Sequence, residues 1–132
     1  MQTLQAFLTR SDIRFTVKPT ERNPHRDSWD AGARHWRCTL TRNGKRMSVA
    51  FSQGSAHTEP PTLADVLNCL ALDCSGYENN LAFEGWCDEY GYDHDSRKAE
   101  HTYKIIGRQA ASLTAMLGDD LYRDLLWNTE SL

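Results

Sequence analysis

Residues 36–51 read WRCTLTRNGKRMSVAF, and this stretch decides the fold. Apolar and polar side chains alternate on both sides of Asn43-Gly44, which is the period of a half-buried strand. Asn-Gly between two alternating runs is the strongest short-range signal for a hairpin, because both turn residues tolerate a positive φ. The stretch therefore predicts two antiparallel strands with one apolar face. That face is formed by Trp36, Cys38, Leu40, Met47, Val49 and Phe51.

A third alternating run precedes the hairpin and predicts a third strand. Its apolar residues are Ile13, Phe15 and Val17. Residues 19–34, which follow, are polar and have no regular period, so they predict a long loop of the kind that is often functional. The cations of the three strands all fall on the polar face or at the turn. They are Arg14, Lys18 and Arg37 on the face, and Arg42, Lys45 and Arg46 around the turn.

Helical spacing and capping residues predict the rest of the chain. Thr3 is placed to cap a short first helix, because a threonine hydroxyl accepts a hydrogen bond from the backbone of the first turn. Thr62 with Asp65 resembles a capping box at the start of a second helix. Gly76 is the predicted end of that helix, because glycine is the commonest residue just past a helix.

Two further helices follow with similar signals. One is predicted from near Asn80 to Gly91, and a longer one begins at a cap on Asp95 or Ser96. Apolar residues of the longer helix recur every three or four positions, which gives one continuous apolar stripe as far as Gly118.

Asp119-Asp120 then begins a last helix. Together these patterns predict the α+β class, with a three-stranded antiparallel sheet packed on one face by about four helices. The length of 132 residues predicts one domain covering residues 1–132.

The amino-acid composition is typical of a globular protein. Apolar residues make up 39% and charged residues 25%, as in a globular protein, and no apolar run is long enough to cross a membrane. The first ten residues have neither the basic start nor the cleavage site of a signal peptide, so we expect a cytoplasmic protein. In that compartment the four cysteines are expected to be reduced, and most of them buried.

Charge is segregated along the chain, although the net charge is only −3. Residues 1–50 carry ten lysines and arginines against four acids, a local charge of +6. Residues 51–96 carry nine acids and no lysine or arginine, a local charge of −9. A solvated acidic surface that aids solubility is the simplest explanation. The functional explanation is a surface that meets a basic partner.

No motif in the sequence predicts catalysis or a cofactor. His94 and His101 are not part of two close ligand pairs, the arrangement that structural zinc sites use. Serine-hydrolase, zinc-protease and P-loop motifs do not occur. Glu84 and Asp88 have helical spacing, but acid–base work needs one such carboxyl in an apolar pocket. We therefore expect no catalytic residue, no metal site and no cofactor.

The basic hairpin leaves nucleic-acid binding open as an alternative function. Several phosphates can be neutralised by Arg37, Arg42, Lys45 and Arg46. A sequence pI near 5.9 argues against a dedicated binder, for which a basic domain is expected. A small DNA- or RNA-binding accessory protein is therefore the second hypothesis.

The acidic segment favours a protein-binding surface instead. Carboxylates four residues apart on a helix lie about 6 Å apart, similar to neighbouring phosphates on one nucleic-acid strand. A folded acidic face can thus occupy a groove that binds nucleic acid, and long-range attraction speeds association. Tyrosine is enriched at interface hot spots. The predicted partner-binding residues are Glu84, Asp88, Glu89, Tyr90, Tyr92, Asp93 and Asp95.

Residues 83–103, FEGWCDEYGYDHDSRKAEHTY, resemble a stretch found in small uncharacterised proteins of phages and other bacterial mobile elements. Residues 35–55 and 61–79 are similar to the same group, so the resemblance covers most of residues 35–103. Small accessory proteins of this kind include inhibitors of host defence, anti-CRISPR proteins among them. The resemblance implies a non-enzymatic inhibitor in the host bacterial cytosol. Its implied partner is a host nucleoprotein complex, such as a CRISPR effector subunit.

Overall fold

The computed structural model describes residues 1–20, 32–80 and 82–130, and in these ranges the architecture is α+β, as predicted. Residues 21–31 of the predicted long loop lie outside the described residues. In chain order the elements are β1 (Gln2–Thr3), α1 (Leu4–Ser11), β2 (Arg14–Pro19), β3 (Arg34–Arg42), β4 (Lys45–Gln53), α2 (Leu63–Glu78), α3 (Phe83–Tyr90), α4 (Arg97–Leu117), α5 (Asp119–Trp127) and β5 (Thr129–Glu130).

The sheet has the strand order β2-β3-β4 and is antiparallel throughout, which confirms the prediction from the three alternating runs. Arg42 pairs with Lys45, so the hairpin turn consists of two residues. Those residues adopt positive φ angles, 50° at Asn43 and 75° at Gly44, as a tight turn between twisted strands requires.

The helices lie on one side of this sheet. α4 packs against β3 and β4, and α2 and α5 pack against α4. The predicted caps are confirmed at Thr3, at Thr62 with Asp65, and at Ser96. The described ranges contain five helices, against the expectation of about four. None of the five is both long enough and apolar enough to span a bilayer.

Two predicted helix boundaries differ from the structure. The prediction that α2 ends at Gly76 is wrong, because the helix continues to Glu78 and Gly76 is buried within it. α3 begins at Phe83 rather than near Asn80, and its N-cap residue, Ala82, has no side-chain hydrogen bond to offer. The predicted end of α3 at Gly91 is confirmed by a φ of 76°.

The buried residues form two separate clusters. The main core joins the inner face of the sheet to α1, α2, α5 and the second half of α4. A smaller cluster joins α3 to the first half of α4 through Trp86, Cys87, Ala99 and Ile106. Tyr77 of α2 touches both clusters. As expected, most cysteines are buried: Cys38, Cys74 and Cys87 are, and Cys69 is exposed.

The two ends of the described chain meet in a pairing that the sequence did not predict. β1 and β5 form a short parallel pair, in which Gln2 lies beside Thr129. The backbone N–H of Gln2 also donates to the carbonyl of Asn128 at 3.0 Å. Nearby, the guanidinium of Arg10 donates to the carboxylate of Asp124 at 2.8 Å. These contacts fasten α5 to α1.

Candidate interaction surface

All seven predicted partner-binding residues are exposed, and all lie on α3 or on the turn that links α3 to α4. We call them the α3 surface: Glu84, Asp88, Glu89, Tyr90, Tyr92, Asp93 and Asp95. Three of its carboxylates lie close enough to His94 for their negative charges to act on its imidazole ring. They belong to Asp88, Glu84 and Asp95. The sequence thus identified a set of residues that the fold brings together.

Trp86 supports the two exposed tyrosines of this surface from beneath. Its side chain is only 3% exposed, whereas Tyr90 is 47% and Tyr92 is 38% exposed. The ring of Tyr92 stacks on Trp86 with centroids 5.2 Å apart and planes 8° apart. Tyr90 meets the same indole at 5.4 Å. Because aromatic pairs have preferred geometries, these contacts fix both tyrosine rings while leaving one side of each ring accessible.

Gly76 of α2 fixes the position of Tyr90. A Cβ atom at residue 76 would overlap the hydroxyl oxygen of Tyr90 and lie 2.8 Å from its ring carbon Cζ. Real side chains do not approach this closely, so only glycine leaves room for the tyrosine. Gly76, which the sequence suggested as a helix end, therefore leaves the space that the side chain of Tyr90 occupies, fourteen positions further along the chain. Spacing along the chain carried no signal for this contact.

A histidine lies within the acidic group. The ring Nε2 of His94 is 2.8 Å from the carboxylate Oδ1 of Asp88. This hydrogen bond, followed by the negative charges of Asp88, Glu84 and Asp95, raises the pKa of His94 above its ordinary value. Protonation of His94 adds a positive charge to the α3 surface, so the surface is less negative in mild acid than at neutral pH.

In the part of the chain that the structure describes, the acidic and basic regions form no ion pair with each other. Within the described residues, no lysine or arginine of the sheet forms an ion pair with a carboxylate of the α3 surface. One acid of α2 is already engaged, since the hydroxyl of Tyr122 donates to Glu78 at 2.8 Å. Burial raises the pKa of Tyr90, and the negative charges of Glu89 and then Asp73 raise it further. Asp73 of α2 therefore extends the acidic region.

The four cations proposed for the nucleic-acid alternative do not all share one environment. Arg37, Lys45 and Arg46 are exposed. Arg42 is half-buried, and its Nε donates to the carbonyl of Ser11 at 2.7 Å. Its Nη1 donates to the carbonyl of Met116 at 3.1 Å and to that of Leu117 at 3.3 Å.

Arg42 therefore caps the last carbonyls of α1 and α4, which have no partner within their own helices. The sequence grouped it with the exposed cations of the turn, but it shares the even-numbered parity of Cys38 and Leu40. That parity is the signal which places Arg42 on the helix side of the sheet.

No other grouping in the described residues suggests a chemical site. No three His, Cys, Asp or Glu side chains of the described ranges are placed to share a metal ion. A shallow groove between α1, α2 and α5 is lined by Leu4, Ala71 and Leu125, among others, and is open to solvent. No family model, curated protein or solved structure matches this chain.

Proposed function

We propose that this protein is an anti-defence inhibitor that binds a host nucleoprotein complex through the α3 surface. One observation carries the proposal: five exposed carboxylates and two braced, half-exposed tyrosines share one small helix and its following turn. No cation of the sheet is paired with those carboxylates in the described residues. Such a surface fits a basic partner that otherwise binds phosphate.

The tyrosines supply the part of the interaction that charge alone does not. Exposed ion pairs contribute little to affinity, because both partners are solvated and salt screens them. Affinity at protein interfaces comes instead from a few central aromatic or arginine residues, with charges around them that steer the encounter. Tyr90 and Tyr92 are the aromatic residues that would supply this affinity, because Trp86 already restricts both rings before binding.

The specific class of partner rests on the resemblance of most of residues 35–103 to small phage and mobile-element proteins. Among the host complexes that such proteins oppose, CRISPR effectors bind nucleic acid in positively charged channels. An acidic face docked in such a channel excludes the nucleic acid by charge and by volume. We therefore propose an anti-CRISPR inhibitor that blocks either nucleic-acid binding or subunit contacts.

The test is a pull-down from bacterial lysate that contains a CRISPR effector complex, followed by a gel-shift assay of the effector with its target DNA. The wild-type protein should capture the effector and reduce DNA binding. The triple variant Glu84→Lys, Asp88→Lys, Glu89→Lys should lose at least tenfold in affinity while its circular dichroism stays the same.

The matched control changes net charge equally at exposed acids away from α3, with Glu59→Lys, Asp120→Lys and Glu130→Lys. This control should inhibit within about threefold of the wild-type protein. Equal inhibition by both triple variants would overturn the assignment of the α3 surface. Failure of the wild-type protein to capture any effector would overturn the anti-CRISPR function itself.

The hairpin turn is the weaker candidate for a functional surface. Arg42 is engaged with helix carbonyls, so only Lys45 and Arg46 remain free at the turn itself. The turn by itself therefore neutralises fewer phosphates than the four cations of the nucleic-acid hypothesis would.

A further inference from the structure

The side of the sheet that faces away from the helices is a second charged surface. Its side chains belong to alternate positions of the three strands, and most of them are exposed. We call it the outer sheet face, formed by Arg14, Thr16, Lys18, Arg37, Thr39, Thr41, Arg46, Ser48 and Ala50. These nine residues include four cations and no carboxylate, and the others are small. At the end of the same face His35 pairs with Ser52, and their side chains are hydrogen-bonded at 2.8 Å.

The strand register arranges these cations in two rows. Arg14, Thr41 and Arg46 form one row across the sheet, and Lys18, Arg37 and Ala50 form the other. Four residues separate the rows along each strand, which is about 13 Å at the usual rise per residue. Between them lies a row of hydroxyl side chains.

One pair within these rows brings two positive charges together on neighbouring strands. Lys18 and Arg37 stand directly opposite each other on neighbouring strands. Like charges in this position destabilise a sheet. No carboxylate in the described residues pairs with either cation. An anion bound from outside would convert this repulsion into attraction.

We propose that the outer sheet face binds the sugar–phosphate backbone of duplex DNA, with one row of cations on each side of the major groove. The separation of the rows, about 13 Å, is close to the major-groove width of about 12 Å. The hydroxyl row between them lies over the groove, and its short side chains leave both rows of cations free to reach the phosphates.

The composition of the face also distinguishes duplex DNA from single strands. Proteins that bind single strands stack the bases on aromatic side chains. The phenylalanine and tryptophan residues of these strands, Phe15, Trp36 and Phe51, belong to the inner face and pack against the main core. The imidazole of His35, on the outer face, is hydrogen-bonded to Ser52. The outer sheet face is therefore suited to the charge and shape of the DNA backbone, and we expect binding without sequence preference. This inference does not depend on the α3 surface binding a CRISPR effector.

The experiment is fluorescence anisotropy with the full chain and a labelled 20-base-pair duplex, titrated between 50 and 200 mM salt. Four phosphate contacts predict a slope of log K against log salt of about −3.6, which is a loss of about 100-fold across that range. A single strand of the same length should bind more weakly.

The variant Lys18→Gln, Arg37→Gln removes one row of cations and should halve the slope to about −1.8. Its matched control is Arg108→Gln, Arg123→Gln, which changes net charge equally at exposed positions of α4 and α5. The control should keep the slope of the wild-type protein. Both variants change exposed residues, so circular dichroism should show an unchanged fold.

Three results would overturn the proposal. The first is no binding of the duplex at 50 mM salt, and the second is an equal loss in the control variant. The third is salt-sensitive self-association that disappears in the Lys18→Gln, Arg37→Gln variant, measured by sedimentation velocity. That result would mean that the outer sheet face binds the α3 surface of a second copy rather than DNA.

Discussion

The outer sheet face and the α3 surface carry opposite charges and are held in place by different means. The cations of the sheet sit on strands whose other side is buried in the main core. The acids of the α3 surface lie on an eight-residue helix without a side-chain cap and on the turn that follows it, and this helix is attached to α4 through a small cluster. The strands that carry the cations are held by many backbone hydrogen bonds to neighbouring strands. The helix α3 is attached to the rest of the fold by a few aromatic contacts.

The strongest test of this difference is to remove the residue that attaches α3. Trp86→Ala should cost about 3–5 kcal/mol of stability, because a large buried ring is lost and a cavity remains. Hydrogen exchange should accelerate most in α3 and in the first half of α4, while β3 and β4 keep most of their protection.

The matched control for Trp86→Ala lies in the main core. Leu67 is fully buried there, and Leu67→Ala should cost about 2–5 kcal/mol while lowering protection in the sheet and the helices alike. If Trp86→Ala exposes the sheet amides as much as those of α3, the two regions unfold together and the comparison fails.

A smaller effect is expected from the arginine that joins the sheet to the helix ends. Arg42→Ala leaves the carbonyls of Ser11, Met116 and Leu117 without their charged donor and should cost about 2 kcal/mol. Urea denaturation measures this cost directly. Lys45→Ala, at the exposed end of the same turn, should change stability by less than about 0.5 kcal/mol. Equal costs for the two variants would remove the structural role assigned to Arg42.

The smallest effect concerns pH and the α3 surface alone. The pKa of His94 is raised by its hydrogen bond to Asp88, so its stabilising contribution is present in acid and is lost as pH rises through the folded-state pKa. An NMR titration should therefore give a pKa above that of an unfolded peptide, and Asp88→Asn should lower it. Binding to a basic partner should weaken over the pH range in which His94 becomes protonated. A pKa of His94 that Asp88→Asn leaves unchanged would contradict this.

The sheet was predictable because its signals are local. Alternation and the Asn43-Gly44 turn determine the register from Trp36 to Phe51 without reference to the rest of the chain. The helix caps at Thr3 and Thr62 are likewise satisfied within one turn. These patterns leave few alternative structures for the residues that contain them.

The missing features depend on contacts between distant parts of the chain. The β1–β5 pair has two residues on each side, which is too few to give a period. α2 continues past Gly76, which is buried against Tyr90, and no local rule distinguishes a buried glycine from a terminating one. The acids of the α3 surface were identified by composition, but the contacts of Trp86 with Tyr90 and Tyr92 are visible only in three dimensions.

Gly76 has a consequence for anyone who engineers this protein. Alanine is favoured over glycine inside a helix by up to about 1 kcal/mol, so a stabilisation campaign would choose Gly76→Ala among its first substitutions. The added methyl group would occupy the space of the Tyr90 ring. Tyr90 would then have to leave its contact with Trp86, at a cost of about 0.5–1.5 kcal/mol that offsets the gain in the helix, so thermal melting alone would show little change. Selection for thermostability would then tolerate a residue that selection for recognition rejects.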